Sequence, residues 1–441
     1  MKRKITYTSL LIFCSALLAL IFRYRTPEQI VPLKLRNGEL SLSTEWAGTQ
    51  QAIDNMLLVL ADHPEDQKTR LKLAYAYIQE GRITGDHAYY DSATLELLDD
   101  LLNKEPNNAE ALCAKATVLL SQHHFTEAIA PGEKARELNP YLVSAYGVLT
   151  DANLELGNYQ KAIRYADTMV SIRPDIRSYS RISYLREIHG DINGAIDAMK
   201  MAVEAGYPGL EQTEWCRVQL GHLYESSGDL FQAQNCYKNS VYNRPTFAFA
   251  YAGLGRIEKA KNNYFAAQKY FEQAIQLIPD ASFYHELTDL FRISNRQDAA
   301  ARCAEKELEC LAGSGGDESA KVHGHYADKE LALVYLDLYD YSRALQHAII
   351  EYNRRPENIE VNQTLAWVYF KMGNYVEANR YINKALATNC VQPVLMYQAG
   401  LIKKRTGENI EGEKLIRASL TMNPFLSPSL LWEDKILLAN K

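Results

Sequence analysis

The 441-residue chain has no CxxC pair, no GxxxxGK phosphate loop and no GxSxG nucleophile elbow. Those absences remove the usual sequence marks of thiol redox centres, nucleotide cradles and serine hydrolases. Seven cysteines sit at 14, 113, 216, 236, 303, 310 and 390. Cys303 and Cys310, seven apart on one helix, stand roughly 10 Å apart, too far to bridge. Cys216–Cys236, on paired helices, is the pairing left open; the others read as small buried apolar residues. A basic surplus is also missing. The net charge is −6, with +6 in residues 1–36 and −12 in the rest. An acidic body argues against nucleic acid as a partner.

Long apolar runs are scarce, with one exception. Ile5–Phe22 is an uncharged, mostly apolar stretch of 18 residues, long enough to cross a bilayer. No small-residue cleavage site follows it in good register. The expectation is an uncleaved, single-pass anchor over 5–22. Lys2, Arg3 and Lys4 outnumber Arg23 and Arg25, which keeps residues 1–4 cytoplasmic and places the body outside the cytoplasm, in a periplasmic or equivalent space. Secretion after cleavage is one alternative. A lipoprotein anchored at Cys14 is another, and Phe13 before that cysteine is too large for the usual box.

What the chain has in quantity is periodicity. Prolines fall at 106, 140, 174 and 208, then at 245 and 279, and later at 356 and 424. The spacing is 34 residues, or two periods, apart from insertions of three and nine. Residues 157–163 (GNYQKAI) and 373–379 (GNYVEAN) are six such periods apart once those insertions are counted. A 34-residue period with helical spacing marks a helix–turn–helix solenoid. Leu220-Gly221, Tyr224, Gly228, Ala233, Tyr237 and Pro245 form one copy. Leu254-Gly255, Ala267, Phe271, Ala274 and Pro279 form the next, and further copies run from Leu331 and Leu365. These motifs resemble the tetratricopeptide repeat family over residues 44–441.

The resemblance implies an all-α, right-handed superhelical solenoid of about ten two-helix units behind the N-terminal transmembrane helix. Unit starts are expected near Gln67, Ala109, Val143, Arg177, Glu214, Ala248, Ser282, His325, Ile359 and Pro393. In sequence order, a linker spans 23–43, a capping helix and seven units span 44–312, a Gly/Ser-rich loop spans 313–324, three units span 325–426 and a capping helix spans 427–441. TGDHAYYD at 84–91 reads as an insertion between the helices of the first unit.

Catalytic constellations amount to near misses. His285-Glu286-Leu287-Thr288-Asp289 has Asp289 where a zinc-protease helix needs a second His, so it reads as an exposed helix position. His323-Gly324-His325 lacks a third ligand. The expectation is a chain that is not an enzyme and carries no cofactor or metal.

The family resemblance implies a scaffold whose concave groove takes a peptide or partner helix. Carrying the family's groove positions onto this sequence selects Trp215, Phe249, Phe283 and Tyr326 at position 2, Trp367 at position 9 and Tyr397 at position 5. The Lys/Asn clamp at positions 5 and 9 that holds a chaperone's C-terminal carboxylate is absent, since Cys113/Thr117, Gly147/Asp151, Val218/His222, Ala252/Arg256 and Lys329/Leu333 stand there. The resulting expectation is a non-catalytic protein-interaction scaffold of the cell envelope. The alternative is a ligand- or metal-responsive regulator using residues 313–325.

Overall fold

The computed structural model describes residues 30–313 and 325–431. The expected transmembrane segment, Cys14, His323 and most of the 313–324 loop lie outside them, as do 432–441 of the expected final helix. Among the described residues there are 21 α-helices and one short 3-10 helix, and no helix is long and apolar enough to cross a membrane.

The first α-helix, Thr44–Asp62, stands alone, and the other twenty form ten antiparallel pairs. Numbered one to ten, these units span 67–104, 109–138, 143–172, 176–204, 211–243, 248–277, 281–313, 328–354, 359–385 and 393–422. Four starts differ from expectation, namely Ile176, Glu211, Ala281 and Asp328. The helix of unit five begins three residues early because Glu211 and Glu214 add a turn at its positive end. That of unit eight begins three residues late, at an acidic first turn of Asp328 and Glu330. In unit one the 84–91 stretch is not a loop insertion. Gly85 takes a left-handed φ of 72°, Asp86 caps the next helix by accepting from Tyr89 N–H, and AYYD continues that helix.

The prolines punctuate as expected. Second helices end at Lys104, Leu138, Ile172, Asn243, Leu277, Arg354 and Met422, each two residues before a proline. Within a unit, small residues set the crossing. Ala233, Ala267 and Ala378 are fully buried. A Cβ on Gly221 would lie 2.4 Å from the Tyr237 ring, so only glycine lets that ring fill the crossing. Packing also joins the two sides of residues 314–324, where Ala304 and Leu311 of unit seven cluster with Ala327 and Val334 of unit eight.

The spiral closes on itself with a constant offset. The turn of unit one at Gly85 abuts Ile278, just before unit seven. In unit two, the Gln122 carbonyl accepts from Tyr326 N–H at 3.0 Å, ahead of unit eight. In unit three, the Glu155 carbonyl accepts from Asn358 Nδ2 at 3.0 Å and the Tyr159 hydroxyl accepts from Ile359 N–H at 2.9 Å, at the start of unit nine. Glu155 also pairs with Arg355. The turn of unit four at Gly190 meets the Asn389 carbonyl before unit ten. The unit-five carbonyl of Glu225 accepts from Asn423 Nδ2 at 3.1 Å, directly after unit ten. Each turn thus rests on the connection six units further on.

Gly157 and Gly373, the two copies of the twin phrase, isolate this seam. Both have φ near 78°, but a Cβ on Gly157 would fall 2.5 Å from the Glu357 backbone while one on Gly373 meets nothing within 4 Å. Gly373→Ala should cost about 1–2 kcal/mol for its left-handed backbone. Gly157→Ala should cost more, because Glu357 must also withdraw. Urea midpoints of the two variants make the comparison, and equal midpoints would show that the seam contributes nothing.

Candidate functional site

Closing the spiral turns its concave face into a lumen. An inner cavity of about 1090 Å³ is lined mainly by first helices of units one to five, with Arg256, Glu286 and the segment around 392–394 completing the wall. Tyr184 and Glu187 are shared with a second cavity of about 350 Å³, lined by Lys329, Leu333 and Trp367. Residues facing inward recur at helical spacing, as with Tyr75, Ile78, Gln79 and Arg82 on Gln67–Thr84. Position 5 and 9 residues Cys113/Thr117, Gly147/Asp151 and Lys329/Leu333 line these walls, together with His222 and Arg256.

The aromatic stripe divides. Trp215, Phe249 and Phe283 form an edge-to-face series with ring centroids 5.3 and 5.2 Å apart. Trp215 borders the lumen and Phe249 is half-buried against its neighbours. Phe283 is 1% exposed and Tyr397 2% exposed, so these two expected groove residues belong to the core. Phe283 packs in the cluster of Leu287, Leu290 and Phe291, and Tyr397 in that of Leu365, Ala366 and Leu401. Tyr326 stacks on His124, with ring centroids 4.0 Å apart, and lies under the Arg354 guanidinium, at the seam rather than in the lumen. Trp367 borders the smaller cavity and stacks on Phe370.

Charge dominates the rest of the wall. Arg181 lies across Gly147 and grips Asp151 with two hydrogen bonds of 2.8 and 2.6 Å. Arg256 bonds Glu225 at 3.0 Å, and Lys259 bonds Glu286 at 2.6 Å and Asp289 at 2.9 Å. Arg82 reaches Glu211 at 3.2 Å. Arg177 differs from these, because its guanidinium meets no carboxylate at ion-pair distance among the described residues. Arg177 is exposed to solvent, and partial desolvation together with the nearby cations Arg181, Arg173 and Arg82 lowers its pKa, with Asp175 opposing. Burial pushes His222 well below its usual range, with Arg256 adding to the effect, and its Nε2 has no hydrogen-bond partner. Burial, followed by repulsion from Glu360, pushes the Glu187 carboxyl up to about 7.

The near misses resolve into neighbours the sequence did not show. Glu286 and Asp289 hold Lys259, and Asp289 also accepts from Ser427. The half-exposed His285 turns toward Glu307 and Asp337. His325 packs against His123 with ring centroids 4.1 Å apart. All six described cysteines are free, Cys216 and Cys236 included.

The family model described as Tetratricopeptide repeat matches residues 249–280, one unit of the series. Residues 249–280 thus match a tetratricopeptide repeat, and the other nine helix pairs are built on the same helix–turn–helix plan. Among curated relatives of the repeat chain, human protein O-mannosyl-transferase TMTC1 is 23% identical over 192 residues, which are 43% of this chain. The chain spans 22% of that relative's length. Among solved structures, the thermophilic TPR protein TTC0263 of Thermus thermophilus is 20% identical, covers 42% of this chain and 94% of its own, and has a TM-score of 0.37. The APC/C hetero-tetramer Cut9–Hcn1 is 16% identical, with 86% of this chain and 70% of that chain covered and a TM-score of 0.43. Tetratricopeptide-repeat proteins generally mediate protein–protein contacts.

Glu187 gives a pH test of the lumen. Its carboxyl takes up a proton near pH 7 when folded, against an ordinary value of 4.5. Between those values the folded state binds more protons, so this group's contribution to stability falls as pH rises. Glu187→Gln should therefore melt higher than the wild type near pH 8 and lose that advantage near pH 4. An advantage independent of pH would contradict the burial of this carboxyl.

Proposed function

We propose that this chain is a non-catalytic scaffold that binds an extended polypeptide segment in its lumen. Arg177, an inward-facing guanidinium without a carboxylate of its own, carries the reading. It would receive an acidic side chain or terminal carboxylate of the partner. Trp215 supplies an apolar wall beside it, and the paired charges of Asp151/Arg181 and Glu225/Arg256 offer backbone hydrogen-bonding groups along the path. A cavity near 1090 Å³ suits an extended chain better than a whole helix, whose diameter with side chains is about 10–12 Å. Right-handed winding of the units, as in the family, would run this path along the spiral axis. The non-catalytic part of the reading rests on the repeat series taking up nearly all the described residues.

Screening a displayed library of random extended peptides against the full chain tests this. Retained peptides should be enriched in Asp and Glu. Arg177→Ala should weaken capture about tenfold, the loss of one charge-assisted contact, and Trp215→Ala should weaken it with helicity unchanged. Capture indifferent to both substitutions would sink the reading.

The same proposal places the scaffold in a cell envelope, held by residues 5–22 with the body outside the cytoplasm. The supporting observation is the apolar run Ile5–Phe22 flanked by Lys2, Arg3 and Lys4. The full chain should stay with membranes through alkaline carbonate extraction, and a chain starting at residue 24 should not. Equal release of both would remove the anchor.

A further inference from the structure

Outside the lumen, three donor atoms converge where unit seven meets unit eight. His285 lies on Ala281–Ile293, Glu307 on Gln297–Gly313 and Asp337 on Asp328–Asp337. His285 Nδ1 stands 3.4 Å from Glu307 Oε1 and 3.3 Å from Asp337 Oδ2, and one ligand atom from each residue falls within 4.8 Å of the other two. Neither contact of the imidazole forms a hydrogen bond, and Glu307 Oε2 is also without one. Glu307 is 4% exposed, so this is a buried carboxylate aimed at its neighbours with part of its bonding capacity unused.

We propose that His285, Glu307 and Asp337 bind one divalent transition cation of the zinc class, joining unit seven to unit eight. The spacing supports it. Ligands held at 2.0–2.1 Å around a tetrahedral cation stand about 3.4 Å apart, which matches both imidazole contacts. One nitrogen and two carboxylate oxygens form a donor set suited to zinc and its borderline neighbours, while magnesium and calcium take oxygen alone. A supporting shell is in place. Arg292 pairs with Asp337 Oδ1 and with the Asp337 carbonyl, which fixes the carboxylate so that Oδ2 faces His285. The His285 side chain is 44% exposed, giving the cation a path from solvent and leaving room for water as a fourth ligand.

The ligands lie on both sides of residues 314–324 in sequence. The cation would therefore tie together helices that the chain connects only through that segment, and its effect would be to lock the joint between the two blocks of repeats. The site is independent of the lumen and of any peptide bound there.

Cobalt(II) is the direct probe. The full chain, stripped with a chelator and titrated with Co²⁺, should take up one equivalent with visible absorption of a four-coordinate site. No near-ultraviolet thiolate band should appear, which separates this site from the cysteines. Zn²⁺ should displace the cobalt and raise the melting midpoint, whereas Mg²⁺ should do neither. His285→Ala should abolish binding and the isosteric Glu307→Gln should weaken it at least tenfold, while His325→Ala leaves it unchanged. Failure of the wild type to bind one equivalent, or binding unaffected by both His285→Ala and Glu307→Gln, would overturn the proposal.

Discussion

The turn of each early unit rests on the connection six units later, and the architecture of the binding face follows from that contact. A repeat array whose units rotate less would leave an open ladder with an accessible trough. Here the seam groups Glu155, Tyr159, Gln122 and Glu225 meet partners about 200 residues away. Burying them costs desolvation that only fixed partners offset. The seam therefore holds the winding at one pitch and turns the concave face into an enclosed channel.

Enclosure changes the chemistry of the channel wall. Carboxylates and guanidiniums that would be ordinary surface charges in an open groove become partly desolvated, which is why Glu187 rises toward neutrality and why Asp151 and Arg181 lock together. A partner entering such a channel must exchange hydration for the wall's hydrogen bonds. In the proposed reading, specificity would come from the few groups the protein has not already paired, Arg177 foremost.

Much of the local architecture was legible in the sequence. The prolines at 106, 140, 174 and 245 mark helix ends because a missing amide hydrogen acts within one turn. Gly221 and Ala233 mark a crossing because helix approach is limited by side-chain size. The six-unit closure was not legible, since it depends on small rotations summed over many units. The twin GNY phrases six units apart hinted at it without revealing that Gly157 faces Glu357. Phe283 and Tyr397 looked like groove rings because their register was right, but register does not say which neighbour will cover a ring. His285 was read along its own helix toward Asp289, whereas its neighbours Glu307 and Asp337 come from two other helices. The inward stripe of Tyr75, Ile78, Gln79 and Arg82 carried the regular 3.6-residue spacing.

Pulsed electron–electron distance measurement between spin labels at the exposed residues Gln160 and Glu357 tests the closed spiral most directly. The account predicts one narrow population at the separation of neighbouring side chains, since Tyr159 already touches Ile359. An open ladder, with units stepping by roughly 10 Å, would place the labels on the order of 50 Å apart, and a population there would contradict it.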